Sequence, residues 1–66
     1  MDLIINGERR AVDGAETVEQ LLHALQLDPR AVVVERNREI IRRPLVATTP
    51  VTAGDVIEIV HFVGGG

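Results

Sequence analysis

A chain of 66 residues without a single cysteine has to hold itself together by packing alone, since neither a disulfide framework nor a thiolate metal site can staple it. There is side-chain material for one hydrophobic core, so one small domain of regular, closely packed elements is expected. No apolar run reaches the roughly 18 residues of a membrane-spanning helix. Met1 to Asn6 also lacks the basic start and long apolar stretch of a signal peptide, which points to a cytoplasmic protein with no membrane partner.

The order of elements follows from turn residues and apolar spacing. Leu3–Ile5 and Glu8–Val12 flank Asn6-Gly7, a pair that tolerates the positive φ angles of a tight hairpin turn. Thr17 followed three residues later by Gln20 is a capping box that opens a helix. Val18, Leu21, Leu22 and Leu25 then form one apolar stripe, and Pro29 is expected to stop the helix. Ala31–Glu35 is a β-branched run, Asn37-Arg38 a second tight turn, and Glu39–Arg42 a further strand. Leu45 to Thr49, between Pro44 and Pro50, reads as irregular. After Gly54-Asp55 comes the longest strand candidate, Val56 to Val63.

Two strands, one helix and three more strands in so short a chain predict an α+β domain: a mixed sheet of four to five strands with one helix packed across one face. The first and last strands would lie side by side in the middle and run parallel. Alternation turns Leu3, Ile5, Ile57 and Ile59 toward the helix. It leaves Ile4, Glu58, Val60 and Phe62 on the open face, where exposed apolar groups mark a docking surface.

Composition narrows the chemistry. There is no Cys, Ser, Lys, Tyr or Trp, so covalent catalysis would fall to threonines or two histidines with no motif placing a base beside them. An autonomous enzyme is not expected, and no metal site is read. One aromatic residue and a net charge of -3 argue against nucleic acid as a partner. Arg36, Arg38, Arg42 and Arg43 read as a solvated strand edge, His23 and His61 as structural, and Asp55 as a turn residue. The free protein is expected to be a monomer.

Gly64-Gly65-Gly66 adds nothing to a core, which divides the chain into a domain over residues 1–63 and a flexible glycine tail over 64–66. Extended, the four residues Val63 to Gly66 carry the Gly66 carboxylate roughly 13 Å from the sheet edge. A thread without Cβ atoms fits a narrow channel in a partner enzyme. An α-carboxylate with a pKa of about 3.3–3.7 is ionised at neutral pH and needs activation before a nucleophile can attack it. Condensation with ATP would give an acyl-adenylate, and attack by sulfur a thiocarboxylate. A chain with no Lys or Cys side chain cannot capture its own activated end through either.

The run Gly54-Asp55-Val56-Ile57-Glu58-Ile59-Val60-His61-Phe62-Val63-Gly64-Gly65-Gly66, with Val34-Glu35-Arg36-Asn37 and the capped helix at Thr17-Val18, resembles the ThiS family. These are sulfur carrier proteins of thiamin (thiazole) biosynthesis within the ubiquitin-like β-grasp group. The resemblance spans the chain and implies that Gly66 is adenylated by a ThiF-like adenylyltransferase using ATP and magnesium, with no cofactor bound to the carrier itself. A persulfide sulfur donor would then convert Gly66 to the thiocarboxylate, Gly65 would serve tail threading, and thiazole synthase would accept the sulfur. Ile4, Glu58, Val60, Phe62, Val63 and Gly64 would form the partner-binding surface. One departure is that Leu45 and Val46 stand where family members often carry an aromatic. Alternatives are the small sulfur-carrying subunit of molybdopterin synthase, a β-grasp RNA- or protein-binding module with an inert tail, and a conjugating modifier.

Overall fold

The computed structural model describes residues 1–62. The expectations placed on Val63, Gly64, Gly65 and Gly66, including the boundary of the tail, lie outside the described residues. Strands β1 (Asp2–Ile5) and β2 (Glu8–Ala11) precede helix α1 (Val18–Ala24), followed by β3 (Val32–Arg36), β4 (Glu39–Ile41) and β5 (Val56–His61). The sheet order is β2-β1-β5-β3-β4, with β1 and β5 parallel and every other pair antiparallel. This is the β-grasp arrangement expected from the order of elements. No helix among the described residues is long and apolar enough to cross a membrane.

Both hairpins turn at asparagine. Asn6 and Gly7 have φ of 49° and 83°, and Asn37 and Arg38 have φ of 51° and 72°, so consecutive positive-φ residues give the sharp reversal whose twist matches the flanking strands. The core lies between the sheet and α1. Leu3, Ile5, Val32, Val34, Ile57 and Ile59 face Val18, Leu21 and Leu22, and Leu3, Leu21, Leu22, Ile57 and Val18 are completely shielded from water. Burying each such side chain contributes about 1.5–3 kcal/mol. With no disulfide, this layer is the main source of stability.

The ends of α1 differ from the expectation. Thr17 Oγ1 accepts from the Gln20 N–H at 3.2 Å as expected, but Gln20 Oε1 accepts from the Glu16 N–H, one residue before the cap. The remaining free donors of the first turn are met from the stretch read as irregular. The Val18 N–H donates to the Thr49 carbonyl and the Glu19 N–H to the Val46 carbonyl. A 3-10 turn at Arg43–Leu45 leads into that stretch, which buries Val46, and Val51 just after it is buried as well. Pro29 does not stop the helix. Gln26, at φ 61°, does so earlier, with its N–H bonded to the His23 carbonyl and the Leu27 N–H to the Leu22 carbonyl, a paired closure that consumes two orphan acceptors. Pro29 instead begins a 3-10 turn, Pro29–Ala31, capped by the Asp28 side chain.

Candidate functional site

The site is built around β5, because the residues expected to carry the chemistry follow it in the chain. β5 is held on both sides: β3 pairs with it from Val32–His61 to Arg36–Ile57, and β1 pairs through Ile4–Val56 and Ile5–Ile57. Where β1 ends, the Asn6 side chain continues the pairing. Its Nδ2 donates to the Ile59 carbonyl at 3.2 Å and its Oδ1 accepts from the Ile59 N–H at 2.7 Å, so one amide reproduces a strand's donor and acceptor. Asn37 clasps the start of the strand. Its Oδ1 accepts from the Val56 N–H at 2.9 Å, and its own N–H donates to the Val56 carbonyl. One hairpin turn therefore holds the start of the strand at Val56, and the other holds its middle at Ile59.

Beneath the start of β5 lies Asp55, the one buried charged residue among those described. Its carboxylate accepts from Arg36 Nε at 2.8 Å, Asn37 Nδ2 at 3.0 Å, the Thr52 N–H at 2.8 Å and Thr52 Oγ1 at 3.1 Å. Burial alone would push this carboxyl up. The donors from Thr52, Asn37 and Arg36 outweigh it, and Asp55 is lowered from 3.8 to about 2. Asp55 does serve its turn, as expected, but it also ties that turn to the second hairpin.

The outward face of the sheet carries the expected partner-binding groups. Val60 is 62% exposed, Phe62 48%, and Glu58 is exposed, while Ile4 is half-buried. Neither Val60 nor Phe62 is covered by the Leu45–Thr49 segment. The register adds two apolar residues the sequence reading missed. Val56 pairs with Ile4 on the outward face, and Ile40 sits in a row with Glu35 and Glu58 and is 65% exposed. Strand parity beside Ile57 was the available signal for Val56, and counting back from the Asn37-Arg38 turn was the one for Ile40. Glu35 and Glu58 stand directly opposite each other, a like-charge pair that costs the isolated sheet stability.

The arginines do not form one solvated edge. Arg36 is committed to Asp55, whereas Arg43 lies with its guanidinium carbon 5.9 Å from the centroid of the Phe62 ring. Among the described residues there is no pocket and no group of His, Asp or Glu side chains arranged to hold a metal.

Comparison with known proteins agrees with this geometry. The profile of the ThiS family matches residues 3–66. Sulfur carrier protein ThiS of Bacillus subtilis is 50% identical over 50 residues, 76% of each chain. A thiazole synthase of Paramagnetospirillum magneticum is 50% identical over all 66 residues, and one of Magnetococcus marinus is 38% identical over the same length. The chain spans only 20% of the length of either synthase. The crystal structure of thiamine biosynthesis protein ThiS from Geobacter metallireducens superimposes with a TM-score of 0.84 at 42% identity, covering the whole of both chains. The family model spans nearly the whole chain, the three glycines included, and the chain belongs to the ThiS family.

Proposed function

We propose that this chain is a sulfur carrier of thiamin biosynthesis, acting in the cytoplasm as a protein co-substrate of partner enzymes. The observation that carries the reading is that the ThiS match runs through residue 66, so it includes Gly64-Gly65-Gly66, which follow the central strand in the chain after Phe62 and Val63. The division of labour is that residues up to Val63 form the recognised body and the last three glycines the reactive segment. A ThiF-like adenylyltransferase, with ATP and magnesium, joins the Gly66 carboxylate to AMP and releases pyrophosphate. A persulfide sulfur then displaces AMP, and reduction of the resulting acyl disulfide by a thiol leaves the thiocarboxylate. Absence of side chains at Gly65 and Gly64 lets the enzyme close around the backbone.

Binding specificity lies in the face that bears Ile4, Glu58, Val60 and Phe62, extended by Val56 and Ile40, and we assign Val63 and Gly64, which come next in the chain, to the same contact. Its central apolar groups favour a partner surface of matching apolar character, and the facing Glu35 and Glu58 favour a cation at the middle of that surface. Thiazole synthase is the acceptor favoured by the likeness to two proteins of that name, in which a segment like this chain is a fifth of the polypeptide.

The test is the intact mass of the protein isolated from its own cells, and again after incubation with the adenylyltransferase, ATP, magnesium and a persulfide source. Replacement of one oxygen by sulfur, mapped to Gly66, is the expected result. An unchanged mass with an active partner, or equal sulfur transfer from a chain lacking Gly66, would overturn the reading.

A further inference from the structure

Phe62 is the last described residue before the segment that carries the chemistry, and it is held from two directions. Its N–H donates to the Ala31 carbonyl at 2.9 Å, continuing the ladder one residue past the end of β5. Its ring lies under Arg43, within the range at which a guanidinium is attracted to an aromatic face. Arg43 is itself tied down, because its Nη2 donates to the Arg30 carbonyl at 3.2 Å. Arg30 and Ala31 are neighbours in the Pro29–Ala31 turn, so the backbone and the ring of Phe62 are referred to one small block of structure. Two other arginines have partners elsewhere: Arg36 is bound to Asp55, and Arg30 pairs with Asp28 at 3.2 Å.

We infer that Arg43 is a positioning residue for the reaction at Gly66: by fixing the Phe62 ring, it sets where the reactive segment begins relative to the outward face. The inference rests on the sulfur-carrier reading. A partner that binds the outward face and receives the chain end must engage both at a fixed separation, and Phe62 is the joint between them. Losing the guanidinium frees the ring and its χ angles, so docking has to order them again. That penalty falls on binding and leaves the chemical step as it was. It appears in KM for the carrier, with kcat retained.

The experiment measures ATP–pyrophosphate exchange by the adenylyltransferase against carrier concentration, for the wild type, Arg43→Ala, Arg43→Lys, Phe62→Leu and the double variant Arg43→Ala/Phe62→Leu. Thermal midpoints serve as the folding control. Arg43→Ala is expected to raise KM about 2- to 5-fold with kcat unchanged. Arg43→Lys, which keeps a cation over the ring, should recover part of the loss. In the Phe62→Leu background Arg43→Ala should cause no further rise. An unchanged KM in Arg43→Ala, or the same rise with and without the Phe62 ring, would overturn the proposal, the latter by showing that Arg43 touches the enzyme directly. If the wild type is not adenylated at all, the sulfur-carrier reading fails instead. The brace is then decided separately by the Phe62 ring-proton resonances, which Arg43→Ala must shift if the guanidinium holds the ring and leaves in place if it does not.

Discussion

Replacing Asp55 by Asn should destabilise the protein at neutral pH and remove part of its acid sensitivity. The native carboxyl titrates at about 2 against an ordinary 3.8. That difference is worth about 2 kcal/mol of folding free energy, at roughly 1.4 kcal/mol per pH unit. Since the native group is the stronger acid, the contribution is complete above about pH 4, where both states are ionised. Between about pH 4 and pH 2 the unfolded chain takes up the proton first and the contribution drains away. At neutral pH the Asn variant loses more than the linkage figure, because its amide N–H groups point at donors from Arg36, Asn37 or Thr52. With the Asp55 side chain 8% exposed and that of Arg36 26% exposed, the cost should be about 3 kcal/mol, at the lower end for a broken buried pair. A domain of this size has on the order of 3–10 kcal/mol in total, so the loss is a large share. Urea unfolding at 25 °C, repeated from pH 7 down to pH 2.5, measures both effects. Thr52→Val, which removes one donor hydroxyl, provides a milder step of about 1 kcal/mol. A neutral-pH difference under about 0.5 kcal/mol between wild type and Asp55→Asn, or parallel acid losses in the two, would refute the argument.

Leu22→Ala empties a fully buried site between α1 and the sheet and should cost about 3 kcal/mol in the same urea assay. Glu58→Lys places a cation opposite Glu35, and should leave the fold equal or more stable by about 0.5 kcal/mol. The same substitution should raise KM for the carrier in pyrophosphate exchange, so stability and function move in opposite directions.

Local chemistry wrote most of the fold into the sequence. Asn6-Gly7 and Asn37-Arg38 fixed both hairpins because few residue pairs accept consecutive positive φ, and alternation along Leu3–Ile5 and Val56–Val60 assigned the two faces of the sheet. What escaped depends on groups far apart in the chain. The second role of each asparagine, holding Val56 or Ile59, emerges only when the hairpins are laid against β5. The early helix stop at Gln26 was hidden because a non-glycine residue in the left-handed region leaves no compositional mark, whereas Pro29 does. Arg36 and Arg43 look alike in sequence. Their different roles follow from the fold, since Arg36 on β3 reaches Asp55 while Arg43, in the 3-10 turn after β4, reaches Phe62.

The two faces of the sheet separate stability from recognition. The inward residues of β5, Ile57 and Ile59, are committed to the core, while Glu58 and Val60 between them bear little of the folding energy. The strand that leads into the reactive segment is the central one of the five, paired with β1 at its start and with β3 from Ile57 to His61, and held by asparagine side chains at Val56 and Ile59. For a carrier this placement has a thermodynamic consequence. Ordering one residue costs about 1–2 kcal/mol, so a partner that had to immobilise a loose strand would forfeit much of its binding energy. Because β3 pairs with β5 as far as His61 and the Phe62 N–H bonds the Ala31 carbonyl, that cost falls on folding rather than on association for every residue up to Phe62.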